Sequence, residues 1–325
     1  MISRTRWSVA GAVAIGLWCG SSLAPVVAGV QDVTLSYKWA KGDTLRYRIV
    51  QQSTTNISGI PGMGEMTIDQ STSQIFKAST EDVAADGTAR VRQTIEAMKM
   101  EMTSPMFSMA YDSANAAAAD PMLKGLLSPM LGESFTIVFA PTGDVQKVEG
   151  LSAVADKMFR AMPQDPAMAG MLDGLKNNVS DDAMRAMLKQ TFAQFPSRPV
   201  KVGDSWNTNV TTGNPMLGDL VTSIVSTLKS VAGEGADRIA TVTTTLTIKQ
   251  DPAKPAAANP TGLTLQMGNA SGDGEQAFEP ATGRMRRSTT RLTMPMDMSG
   301  TGPDGSQLNL KTTIKTTTTV ELVEK

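Results

Sequence analysis

The chain has no histidine and a single cysteine in 325 residues. Without histidine, Ser-His-Asp and Cys-His nucleophilic machinery is excluded, and so are histidine-bearing metal sites. The one cysteine, Cys19, lies in an N-terminal apolar stretch, so no disulfide framework staples the rest of the chain. Aromatic residues make up 5% of the sequence, too few for the two aromatic girdles of an outer-membrane barrel. The final residues Val323-Glu324-Lys325 also lack the character of a lipid-facing strand end. Neither sign of charge dominates, with 30 Lys and Arg against 31 Asp and Glu. The basic footprint of a nucleic-acid binder is therefore missing, and no nucleic-acid partner is expected. Long apolar runs are missing beyond the N-terminus, so an integral membrane protein is not expected either.

What is present begins with Arg4 and Arg6, followed by the apolar stretch Val9 to Leu23 and then small residues. This is the layout of a secretory signal peptide over residues 1–28, with cleavage after Ala28 or Ala24. Trp18 directly precedes Cys19, where a lipoprotein needs a small residue, which speaks against lipidation. The expected address is periplasmic or extracellular.

From Val33 the text alternates. Leu45, Tyr47 and Ile49 share one face of a strand, and similar patterns cover Glu65 to Ala78 and Thr88 to Met102. Phe135–Ala140 and Asp144–Val148 read as a hairpin around Pro141-Thr142-Gly143. Between 150 and 196 the period changes. Leu151, Val154, Met158, Phe159 and Met162 fit one helix face. Asp165-Pro166 opens a second helix, and Ser180-Asp181-Asp182 opens a third, striped by Met184, Met187, Leu188, Phe192 and Phe195. A shorter helix is predicted from Asp120-Pro121 to Leu131. Strands resume at Val202 and continue to Val323, with Pro295 marking an edge or a bulge.

Three landmarks recur in the same order: Gly42-Asp43 with Gly203-Asp204, Ala89-Arg90-Val91 with Ala240-Thr241-Val242, and Pro141-Thr142-Gly143 with Pro280-Ala281-Thr282-Gly283. The expected fold is α+β: two related, strongly twisted antiparallel sheets spanning 29–149 and 197–325, either separate or packed as one continuous, curved β structure, with a helical insertion at 150–196 and an internal duplication. The stretches Tyr37-Lys38-Trp39-Ala40-Lys41-Gly42-Asp43 and Val202-Gly203-Asp204-Ser205-Trp206 resemble an uncharacterised family of secreted bacterial proteins, a domain of unknown function. That resemblance implies a topology and an address but no activity.

Little else carries chemistry. The Gly-rich stretch Gly59 to Gly64 sits between strands and reads as a hairpin tip. Ser226 and Lys229 match a Ser-x-x-Lys spacing, but on a strand they face opposite sides. Glu81-Asp82 and Asp181-Asp182 read as a turn and a helix start. No catalytic residue and no cofactor are expected. Methionine stands out at 22 residues. Met98, Met100 and Met102 alternate on one strand, as do Met294, Met296 and Met298, and Met184 and Met187 lie on a helix. Flexible thioethers fill irregular cores, suit varied apolar ligands, or bind Cu(I). A lipid or other apolar ligand bound near these eight residues is the leading expectation. A structural protein with a Met-rich core, a carboxylate-dependent hydrolase and copper binding are the alternatives. Arg284, Arg286, Arg287 and Arg291 are expected to pair with acids on neighbouring strands or to meet an anionic envelope partner.

Overall fold

The computed structural model describes residues 32–323 except 61–63, 162–180, 182–183, 186–187, 190–191, 193, 215–216, 255–263 and 302–306. The expected helix opening at Asp165 therefore lies outside the described residues. Alternating sequence gives thirteen strands: β1 (Thr44–Ser58), β2 (Met66–Val83), β3 (Ala89–Thr103), β4 (Ser108–Asp112), β5 (Ser134–Phe139), β6 (Val145–Glu149), β7 (Ser205–Asn214), β8 (Gly218–Ala232), β9 (Ile239–Gln250), β10 (Thr264–Met267), β11 (Ala270–Glu279), β12 (Arg284–Thr301) and β13 (Gln307–Val323). Among the described residues, two helices with both ends defined interrupt them, α1 (Pro121–Leu127) and α2 (Leu151–Ala161). The start of α1 is set by Asp120, whose carboxylate accepts from the backbone N–H groups of Met122 and Leu123, and Pro121 occupies the first position, where its missing donor costs nothing. Among the described residues of the third expected helix, Asp181, Met184, Arg185, Leu188 and Lys189 are helical.

All thirteen strands join one antiparallel sheet, in the order β6-β5-β3-β2-β1-β13-β12-β11-β9-β8-β7, with β4 beside β3 and β10 beside β12. This corrects the expectation of two separate sheets; the halves form one continuous sheet, the alternative arrangement. The cause is the pairing of β1 with β13 over thirteen residue pairs, from Arg46 with Val323 to Ser58 with Lys311. The first and last strands thus form the seam between two halves, and Asp32–Lys325 is a single compact unit. Pro295 lies inside β12. Its missing N–H is tolerated because the neighbouring chain breaks there between β10 and β11, where the Gly268 N–H donates to the Pro295 carbonyl at 2.9 Å.

One face of the sheet carries the core. The opposite face carries ion pairs such as Arg46–Glu96 at 2.7 Å and Arg90–Glu149 at 2.7 Å. Two clusters occupy the core face near the seam: Leu45, Val91 and Phe139 with their neighbours in the first half, and Val242, Phe278 and Met285 with theirs in the second. At the far ends of the strands lie two smaller clusters, one beneath α1 and one around Leu217 and Met267.

The strand entries of the two halves share a hydrogen-bond pattern. The Gly42 N–H donates to the Thr80 carbonyl at 2.9 Å, and the Thr80 N–H returns to the Asp43 carbonyl at 2.8 Å. In the second half the Gly203 N–H donates to the Leu228 carbonyl at 2.8 Å, and the Leu228 N–H returns to the Asp204 carbonyl at 3.0 Å. Both glycines hold left-handed backbone, φ 89° and 94°, a conformation that costs any residue with a Cβ about 1–2 kcal/mol.

Candidate functional site

Aromatic residues are few, and the fold gathers them. The extended segment ahead of β1 lies across both halves on the core face: the Tyr37 N–H donates to the Pro141 carbonyl at 2.8 Å, and Val33 bridges Val200. Tyr37 packs edge-on against Phe278 at 5.3 Å between ring centres and stacks with Phe195 at 5.4 Å. Two residues on, Trp39 stacks with Phe139 at 5.5 Å, and Phe139 meets Phe192 edge-on at 4.8 Å. One residue from the leading segment and one from the end of the insertion thus pack against the phenylalanine that closes the hairpin in each half.

These contacts frame a cavity of about 100 Å³ between the sheet and the insertion. Its walls are Trp39, Tyr47, Phe76, Phe135, Leu188 and Phe192, joined by Tyr37, Phe139 and aliphatic residues including Met285. Seven of the chain's fifteen aromatic residues line it. An apolar cavity of that order takes a small apolar group such as an aromatic ring or a few methylenes, and it has no reason to hold water. Burial pushes the Tyr47 phenol up to about 12, although the nearby Arg284 and Arg286 pull it down. Tyr47 therefore remains neutral at any physiological pH. The Trp39 indole Nε1 is buried and has no acceptor among the described residues.

The second half presents a different lining. A space of about 30 Å³ is walled by Gln276, Ser226, Thr244 and Thr290, with Phe192 and Lys189 from the insertion. Gln276 is 7% exposed, and its Oε1 accepts no hydrogen bond among the described residues. Lys189 also borders a polar surface hollow of about 250 Å³ with Arg185 and Asn209, and its Nζ lies 2.9 Å from Asp144.

The methionines singled out in the sequence go elsewhere. A register shift between Ile75 and Phe76 turns Met98, Met100 and Met102 onto the same face as Val91 and Ile95. There Met98 is buried, and with Met100 it packs in the cluster of Tyr111, Leu123 and Leu127 beneath α1. Met294 and Met296 pack with Leu217, Ile248 and Met267, while Met102 and Met298 are half-buried. Three strands separate β3 from β12, so the trios sit on the order of 19 Å apart along the sheet, and neither lines the aromatic cavity. Met184 packs against the first-half core; Met187 lies outside the described residues.

The other charged residues find partners. Arg284 reaches Asp43 at 3.0 Å, Arg291 reaches Asp273 at 3.1 Å and Arg287 reaches Glu321 at 4.0 Å, while Arg286 pairs with Glu279. Burial pushes the Glu279 carboxyl up, but hydrogen bonds from Thr282 and Arg286 outweigh it and hold the group below the usual carboxylate range. Glu81 pairs with Arg92 at 2.6 Å and Asp82 with Lys41 at 3.1 Å, and Asp181 accepts from the Ser152 N–H and hydroxyl, both at 3.1 Å. Among the described residues no cluster of three or more Cys, Asp or Glu could hold a metal ion. Within the same residues, no helix is long and apolar enough to cross a membrane.

The model of the Family of unknown function (DUF6263) matches residues 86–315. The chain belongs to this family. The membership agrees with the resemblance to an uncharacterised family of unknown function. No curated protein matches the chain. Among solved structures, lipovitellin overlaps 88% of this chain at 11% identity with a TM-score of 0.42, and the chain spans 26% of that protein's length. DynF from the dynemicin biosynthesis pathway of Micromonospora chersina covers 90% of this chain and 85% of its own, at 9% identity and a TM-score of 0.20. An outer-membrane channel from Pseudomonas putida F1 covers 88% and 97%, at 8% identity and a TM-score of 0.23. Likenesses at these scores assign no function.

Proposed function

We propose that the protein is an exported, non-catalytic binding protein of the bacterial cell envelope that holds an apolar ligand between its sheet and the central insertion. The observation that carries this reading is the aromatic cavity at the seam. A chain that spends seven of its fifteen aromatic side chains on one cavity wall, and packs the paired methionines of β3 and β12 into its outer clusters, offers an apolar seat there. Among the described residues, Glu81, Asp82, Arg284, Arg286, Arg287 and Arg291 are held in ion pairs, so the reading rests on the apolar cavity. Export rests on the Arg4, Arg6 and Val9–Leu23 pattern.

The internal duplication belongs to the same reading. It is supported by register: Leu45 faces Ala78 as Trp206 faces Ser226, and Ala89 faces Phe139 as Ala240 faces Phe278. Bulges recur at matching places, after Thr80 and Leu228 in β2 and β8, and between Val138/Phe139 and Ala277/Phe278.

The test is native mass spectrometry of protein recovered from a bacterial periplasm without detergent. The expected result is a signal-free chain with an added mass that dissociates as an apolar small molecule, and lower occupancy in Ala78→Leu, which fills the cavity wall. A bare mass, unchanged after incubation with envelope lipid extract, overturns the reading.

A further inference from the structure

Gln276 occupies the register position that Ile137 holds in the first half: Val242 faces Gln276 as Val91 faces Ile137. The fold therefore accepts an apolar side chain at this position, and the polar one is a departure that the architecture does not require. It is also an expensive one. A buried amide oxygen without a donor costs about 1–3 kcal/mol, and the Gln276 Oε1 has none among the described residues. Around it stand Ser226, Thr244 and Thr290, whose hydroxyls line the same small space, and Ser226 is itself 7% exposed. Phe192 borders both this space and the aromatic cavity. Phe192 is thus a wall common to the apolar space and the polar one.

We infer that the ligand is a small neutral amphiphile, an apolar group the size of one aromatic ring carrying one hydroxyl, whose apolar part fills the aromatic cavity and whose hydroxyl donates to Gln276 past Phe192. This rests on the reading of the cavity as a ligand seat and names the chemistry that seat selects. The space of about 30 Å³ matches the volume of one oxygen with its hydrogens, about that of a single water. A hydroxyl suits it because it donates to the Gln276 carbonyl oxygen while accepting from a Ser or Thr hydroxyl. A carboxylate does not suit it. Its oxygens would meet an acceptor, and the nearest cation, Lys189, is already 2.9 Å from Asp144. An ionised group would then be buried without repayment.

The test uses the mature protein and three probes that share one aromatic ring: benzyl alcohol, benzyl methyl ether and benzoate. Each displaces a fluorescent apolar dye, and circular dichroism confirms that every variant is folded. In the wild type the alcohol is expected to displace the dye at about fivefold lower concentration than the ether, the size of one neutral hydrogen bond. Gln276→Met should bring the two within twofold and leave the ether unchanged, and Ser226→Ala should narrow the gap in the same direction. Equal alcohol and ether in all proteins would mean that the space holds a structural water only, overturning this inference while the apolar seat stands. Tighter binding of benzoate than of the alcohol would overturn the neutral head group. Failure of every probe to displace the dye would sink the apolar seat and this inference together.

Discussion

The two halves of the sheet agree in their turns and disagree in their linings. Both enter through a left-handed Gly-Asp turn, and both close a hairpin on a phenylalanine, Phe139 at 2% exposure and Phe278 at 1%. Yet the register places Phe76, Phe135 and Ile137 in the first half where Ile224, Gly274 and Gln276 stand in the second. At Gly274 a Cβ would come within 2.6 Å of the Thr244 hydroxyl, so that place has no room for the first half's ring. Backbone conformations that few residues can adopt stay fixed, while side chains facing an interior space are free to change what that space accepts.

The comparison breaks most sharply at the hairpin phenylalanines. Phe278→Ala removes a ring packed by Tyr37 and Phe195, and Phe139→Ala one packed by Trp39 and Phe192. Each is expected to cost about 3–5 kcal/mol in urea unfolding. Costs differing by more than about 2 kcal/mol would show that only one half carries the core. A smaller and purely backbone effect is expected at the entry turns. Gly42 and Gly203 have nothing within 4 Å of a built Cβ, so Gly42→Ala and Gly203→Ala should each cost about 1–2 kcal/mol, matched within about 0.5. The least effect is the one that separates the halves. Glu279 has Ala140 in the corresponding turn of the first half. Because the folded protein depresses the Glu279 carboxyl, the stability it adds is present above its unfolded value of about 4.3 and is lost as pH falls through the lower folded value. Glu279→Gln should cost at most about 1 kcal/mol at pH 7 and make unfolding less steeply pH-dependent below pH 4. An unchanged slope would remove this asymmetry.

Much of the strand pattern was legible because period-2 alternation is a local property. Three features were not. β4, Ser108–Asp112, contains no β-branched residue and takes its place only by pairing with β3, where Met102 faces Met109. Arg284 and Arg286 alternate in the sequence as though on one face, but the shift between Ala277 and Phe278 makes Arg286 the bulged residue. The single sheet was hidden because nothing within β1 names a strand at the other end of the chain as its partner. The aromatic cavity was not legible for a related reason. Its walls come from the leading segment, four strands of the first half, the seam and the insertion, and only the scarcity of aromatics hinted that those few would converge. The methionine trios drew attention by their regularity, yet regular alternation on one strand reports a shared face and not what covers it.

The seam also sets an order of assembly. β1 is the first of the described strands to be synthesised and its partner positions, 311–323, come last among them, so one edge of β1 waits, with its N–H and C=O groups unpaired, until β13 is made. An exposed edge is an invitation to pair with another molecule. The residues that wait are Gln51-Gln52-Ser53-Thr54-Thr55-Asn56, and those that arrive to meet them are the threonines of Thr316–Thr319 and their neighbours. Such hydroxyl- and amide-rich strands hold little sticky surface while unpaired, yet still zip into a ladder when the partner comes. The polarity of the seam is then a form of patience, protecting a sheet that can be finished only by its last strand.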